Sequence, residues 1–80
     1  MRHDRLYLED MLEAIDAVGE FLDGVSEDGF LEDPLIQSAI LQKFIVLGEA
    51  AGRVSRETRS GSPEIEWRTI IGLRNVAVHE

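Results

Sequence analysis

Cysteine is absent from this 80-residue sequence, which removes any disulfide framework and any thiolate metal site. The two histidines, His3 and His79, lie at opposite ends of the chain and do not make a metal cluster. No metal and no cofactor is therefore expected, and His3 reads as a terminal residue without a role. No run approaches the ~18 apolar residues of a membrane span. Asp4, Glu9, Asp10, Glu13 and Asp16 near the start speak against a signal peptide. The expectation is a cytoplasmic chain with no membrane partner. Strand-like alternation, internal repeats and a Gly-rich phosphate loop are also missing, which leaves helices as the source of structure.

Positive charge is scarce. Eight Lys and Arg stand against sixteen Asp and Glu, a formal net charge of −8. That balance argues against tight, nonspecific nucleic-acid binding. The charge is unevenly spread, however: residues 1–33 carry a net −9 and residues 34–80 a net +1. Such asymmetry points to a polarised surface. The acidic half reads as a solvated helix face, and the other half leaves room for a local basic cleft.

What is present is an ordinary globular composition, 44% hydrophobic. Eighty residues allow one small domain, residues 1–80, which at this size buries only roughly 60% of its unfolded surface. Asp4 is placed to cap a first helix running to about Leu22. Its apolar residues Leu8, Met11, Leu12, Ile15, Val18 and Leu22 fall in a helical stripe, and Gly24 sits where a left-handed residue would end it. Ser26 to Leu31 reads as a single turn, capped by Ser26, that pins Phe30 into the core. Asp33-Pro34 is a strong helix start, a capping carboxylate before proline at the first helical position. The helix it opens should run to about Val54 or a turn beyond.

That second long helix is apolar nearly all round, through Leu35, Ile36, Ile40, Leu41, Phe44, Ile45, Val46 and Leu47, so it is central in a bundle or shared with a partner. Gly48, Ala50, Ala51 and Gly52 shave it smooth. Mid-helix glycine costs roughly 1 kcal/mol against alanine, so the pair of glycines implies that another helix crosses close by. Glu49 has two readings: a surface pair with Arg53 at i+4, or a group that positions Arg74 or a substrate. Ser60-Gly61-Ser62-Pro63 is a breaker loop. The prediction is an all-α antiparallel bundle with long helices near residues 4–23 and 34–55 and a shorter one near 66–79. Three helices with one apolar all round leave surface uncovered, including the face bearing Ile70 and Leu73, so a C2 homodimer is expected.

The chemistry concentrates at the end. In Trp67-Arg68-Thr69-Ile70-Ile71-Gly72-Leu73-Arg74-Asn75-Val76-Ala77-Val78-His79-Glu80 the apolar positions have helical spacing. On a helix Asn75 and His79 lie about 40° apart, one turn apart on one face. Arg74 and His79 lie about 140° apart, so a regular helix would not aim both at one atom; either the last turn distorts or the pair works with groups from elsewhere. A guanidinium holds phosphate or carboxylate in a planar fork, and an imidazole moves a proton near neutral pH. Structural roles remain open beside this. Arg74 can pair with Glu49 or Glu66, Arg and His are favoured near a helix C-terminus by its dipole, and Asn75 can cap.

Arg74 to His79 has the form R-N-x-x-x-H, and with Trp67 and the Ile71-Gly72-Leu73 lead-in the longer run W-x-x-I-x-G-L-R-N-x-x-x-H resembles the signature of the HepT-like toxins, members of the HEPN class of small helical ribonucleases. Leu47-Gly48-Glu49-Ala50-Ala51 resembles a second stretch of that family. The resemblance covers nearly the whole chain, which is short at its C-terminus against the family: members continue through a Tyr after the His and at least one more helix. Tyr7 is not at a matching position. The resemblance implies a toxin that cleaves RNA without a metal. Arg74, Asn75 and His79 would be its catalytic residues, at a cleft between two protomers, and a nucleotidyltransferase-like antitoxin its protein partner. The alternative is a non-catalytic helical interaction module, or a nucleotide-binding one, that pairs with such a partner.

Overall fold

The first turn of the chain is already helical, and its acidic residue reaches out of it. In the computed structural model, which describes residues 2–79, helix α1 spans Arg2–Leu22. Asp4 is therefore not its N-cap. The carboxylate is buried and turned towards a corner more than fifty residues away. Oδ1 accepts from the Ser55 amide at 2.9 Å, and Oδ2 accepts from the hydroxyls of Ser55, at 2.6 Å, and Thr58.

Gly24 follows with φ 73°, the left-handed residue that a helix end calls for and that glycine adopts without a Cβ clash. Helix α2 (Glu27–Leu31) is the single turn expected, with the Ser26 hydroxyl accepting from the Gly29 amide at 3.0 Å. Phe30 is only half-buried; it lines a groove of ≈ 640 Å³ with Val18, Leu22, Ile40, Leu41 and Phe44 instead of entering the core. Helix α3 (Pro34–Arg53) starts where Asp33-Pro34 places it, the Asp33 carboxylate accepting from the amides of Leu35 and Ile36 at 3.0 and 3.1 Å.

Helix α3 ends at Arg53, about where the sequence places its end, and what the sequence did not announce is the helix that follows. Val54 takes an extended conformation (ψ 136°), and a separate short helix, α4 (Arg56–Ser60), follows with Ser55 as its N-cap. Asp4 and Ser55 together satisfy donors at this corner, so a break here is stabilised by a residue from the far end of the chain. The breaker loop then leads to α5 (Trp67–His79). Among the described residues there is no strand, so the fold is all-α. No described helix is long and apolar enough to cross a membrane.

Helix α3 is the spine, with α1 and α5 both packed along it. Met11 and Ala14 of α1 meet Leu47, Ala50, Ala51 and Val54, and Trp67, Ile70, Ile71 and Leu73 of α5 pack half-buried against this cluster. Gly48 explains how α5 comes so near. A Cβ built there would stand 2.9 Å from both the Cβ and the amide nitrogen of Arg74, and 3.2 Å from the Ile70 carbonyl. Gly52 faces Ile71 one turn further on. The order of these contacts makes α5 antiparallel to α3.

Two readings of apolar surface are corrected. On α1 the buried face is Asp4, Met11 and Ala14, whereas Leu12 and Ile15 of the sequence stripe are 61% and 49% exposed. The helix is rotated because small Ala14 admits α3 closely and Asp4 must reach Ser55. The face bearing Ile70 and Leu73 is partly covered within the chain, and the exposed apolar residues of α5 are Val76 and Val78.

Candidate active site

Helix α5 carries the three residues singled out by the sequence and remains a regular α-helix through His79. The last turn does not distort, so Asn75 and His79 stand one turn apart on one face and Arg74 points elsewhere around the helix. All three are exposed. Glu80, which ends the motif-bearing stretch, lies outside the described residues.

Arg74 is the best anchored of the group. Its backbone lies in the close crossing over Gly48, and its Nε donates to Glu49 Oε1 at 2.9 Å. Glu49 thus takes Arg74, from the facing helix, in place of Arg53 at i+4. Both side chains are about half exposed, 48% and 44%, so solvent screens the pair and it contributes roughly 0–1 kcal/mol to stability. Its geometric effect is larger. Among the described residues the carboxylate engages Nε, which leaves the two Nη groups as a fork for a phosphate oxyanion. Gly48 and Glu49 are adjacent in sequence: one admits the α5 backbone, and the next orients the guanidinium it delivers.

The side chains of Asn75 and His79 make no hydrogen bond to protein among the described residues. An exposed amide one turn from an exposed imidazole can bind a ligand oxygen and hold or hand over a proton. Nothing in a single chain brings Arg74 and His79 onto one atom, so a shared target requires a group from a second chain or a substrate that wraps the helix.

A second cluster went unread in the sequence. Arg56, Arg59 and Ser60 of α4 and Trp67, Arg68 and Ile71 of α5 line one groove of ≈ 480 Å³. In the sequence Arg56, Arg59 and Arg68 contribute only to the net +1 of residues 34–80. The signal available was the unequal charge distribution; the convergence depends on α4 being a separate helix.

Comparisons with known proteins agree on a family. Residues 11–80 match the family model described as ribonuclease HepT-like. A Thermococcus cleftensis protein with the name "Probable ribonuclease HepT" is 32% identical over 78 residues, covering 98% of this chain and 71% of that protein. A Caldanaerobacter subterraneus protein named as a candidate RNase is 30% identical over 80 residues, covering all of this chain and 71% of the relative. One from Methanocaldococcus jannaschii, also named as a candidate RNase, is 28% identical over 79 residues, 99% of this chain and 72% of its own length. No solved structure matches significantly. The family-model match over residues 11–80 and the relatives that span nearly the whole chain make this chain a member of the HepT-like ribonuclease family.

Proposed function

We propose that this chain is the toxin of a cytoplasmic toxin–antitoxin pair, an endoribonuclease that cleaves RNA without a metal ion, with Arg74, Asn75 and His79 as its catalytic residues. The observation that carries the reading is the regular course of α5, which exposes all three side chains while Glu49 holds Arg74. Family membership supports the substrate class.

In this mechanism the RNA 2′-hydroxyl oxygen attacks the adjacent phosphorus and the P–O5′ bond breaks, giving a 2′,3′-cyclic phosphate and a 5′-hydroxyl. His79 takes the 2′ proton or returns one to the leaving oxygen, Arg74 neutralises charge building on the phosphorane, and Asn75 orients His79 or the phosphate. The roughly 140° between Arg74 and His79 is answered by a C2 homodimer in which Arg74 of one protomer serves beside His79 of the other. Exposed Val76 and Val78 on the same helix offer apolar surface for that contact. The protein partner of the pair is a nucleotidyltransferase-like antitoxin.

The test is cleavage of single-stranded RNA by the purified chain in EDTA. His79→Ala should lower the rate by about 10²–10⁴-fold, the usual contribution of a general acid or base, and Arg74→Ala should do comparable damage. Both should keep stability within about 1 kcal/mol, because these groups are exposed. Cleavage unchanged by His79→Ala would remove the enzyme assignment, and cleavage abolished by EDTA would remove its metal independence. A second reading, a non-catalytic or nucleotide-binding interaction module, draws on the apolar groove lined by Phe30, Ile40 and Phe44. It expects no RNA cleavage that depends on His79.

A further inference from the structure

The groove between α4 and α5 gathers three guanidiniums on a chain of net charge −8. Glu57, Glu64 and Glu66 lie in the same stretch of sequence, yet among the described residues no carboxylate forms an ion pair with Arg56, Arg59 or Arg68. Like charges brought together without counterions repel one another, and such an arrangement is relieved by an anion. Arg59 adds an independent sign: its Nε is buried and has no hydrogen-bond partner. Orphaned buried donors are rare, and this one leaves the Arg59 guanidinium without a neutralising partner inside the chain.

The groove's walls are fixed. The Trp67 indole N–H donates to the Ser62 carbonyl at 3.0 Å, which locks the ring, and Asp4 secures the start of α4 through Ser55 and Thr58. The groove opens at the first turn of α5, where the helix dipole adds positive potential. Its direction relative to the catalytic residues is set by helical period. Arg68, Gly72, Asn75 and His79 fall at i, i+4, i+7 and i+11, within about 60° of one another around the axis. From Arg68 the rise is about 10 Å to Asn75 and about 16 Å to His79, and Gly72 between them has no side chain to obstruct the path; nothing lies within 4 Å of its would-be Cβ.

We propose that the Arg56–Arg59–Arg68 groove binds a backbone phosphate of the same RNA strand that is cleaved at His79, a few nucleotides from the scissile bond. The inference rests on the RNA-cleaving reading above and adds to it a substrate-holding site built from α4. It also accounts for how an acidic protein retains a polyanion: the strand is held by a local cluster on the less acidic half of the chain, not by net charge.

The experiment measures binding of a fluorescently labelled, uncleavable 2′-O-methyl single-stranded RNA by anisotropy across a salt series, alongside steady-state cleavage of the unmodified RNA. The exposed Arg56 and Arg68 are changed to Gln, singly and together, sparing half-buried Arg59 so that folding is kept; melting curves confirm it. Arg5→Gln, which removes an exposed cation paired with Glu9 on α1, is the control for net charge. The double variant should bind about tenfold more weakly and lose roughly 0.7 from the slope of log affinity against log salt, the value for one single-strand phosphate contact. Its KM should rise with kcat retained, the reverse of His79→Ala. RNA binding and cleavage that are the same in the double variant as in Arg5→Gln would overturn the groove's role and leave the active-site reading intact. A wild-type chain that neither binds nor cleaves RNA would overturn both.

Discussion

Replacing Gly48 with alanine sets two opposing effects against each other, and their difference is measurable. Alanine in a helix interior is favoured over glycine by roughly 1 kcal/mol. At Gly48 the added methyl would stand 2.9 Å from Arg74 Cβ and from the Arg74 amide nitrogen, with the Ile70 carbonyl at 3.2 Å. Two of these neighbours are backbone, so relief requires α5 to shift as a body, and overpacking of this kind costs about 1–3 kcal/mol. Gly19 in α1 provides the reference, because nothing lies within 4 Å of its would-be Cβ. Helix propensity cancels between the two sites, so Gly48→Ala should be less stable than Gly19→Ala by about 1–3 kcal/mol. In a domain of this size that is roughly 4–8 °C of melting temperature per kcal/mol. Urea denaturation followed by far-UV circular dichroism measures it. Agreement of the two variants within about 0.5 kcal/mol would show that α5 does not cross α3 at this distance. Since Arg74 lies at the contact, Gly48→Ala should also disturb RNA cleavage, and Gly19→Ala should not.

Acid should act on the fold through Asp4. Hydrogen bonds from the Ser55 and Thr58 hydroxyls and then the Ser55 amide hold its pKa at about 2, below the usual 3.8. Its contribution is therefore fully present above about pH 4 and is lost as pH falls towards 2. Urea midpoints taken between pH 5 and pH 2 should fall more steeply for the wild type than for Asp4→Asn, and parallel curves would refute the assignment. Asp33→Ala should cost about 1 kcal/mol in the same denaturation assay by removing the acceptor for the Leu35 and Ile36 amides; no loss would mean that Pro34 alone starts α3.

Local signals were legible in the sequence. Asp33-Pro34, Gly24 and Ser26 each act within a few residues, and each appears where its chemistry placed it. The glycines of α3 announced a close crossing, and Gly48 is where α5 comes nearest. What failed to show was whatever depended on partners distant in sequence. With Asp4 reaching Ser55, the apolar stripe of α1 is buried along one edge only: Met11 is core and Leu8 and Val18 are half-buried, whereas Leu12 and Ile15 face outward. The same contact helps to make α4 a separate helix, which hid the groove of Arg56, Arg59 and Arg68. At the candidate site the motif named Arg74, Asn75 and His79, whereas the choice between Arg53 and Arg74 as the partner of Glu49 needed the third dimension.

The bond between Asp4 and the Ser55 amide spans 51 residues, and that separation bears on the order of folding. Closing a loop costs entropy that grows with its length, by roughly 0.6 kcal/mol for each doubling, and distant contacts form slowly compared with helical turns. The crossing of α3 and α5 joins Gly48 to Arg74 over a shorter span, and α1 meets α3 near their connection, Leu22 beside Ile40, so both helix pairs can form before the Asp4–Ser55 contact closes. The Ser55 amide then becomes a sensor of that closure. Its hydrogen exchange is governed by every event that lifts the start of α1 from the bundle, including openings too small to unfold α3, and it reports that docking from a single resonance.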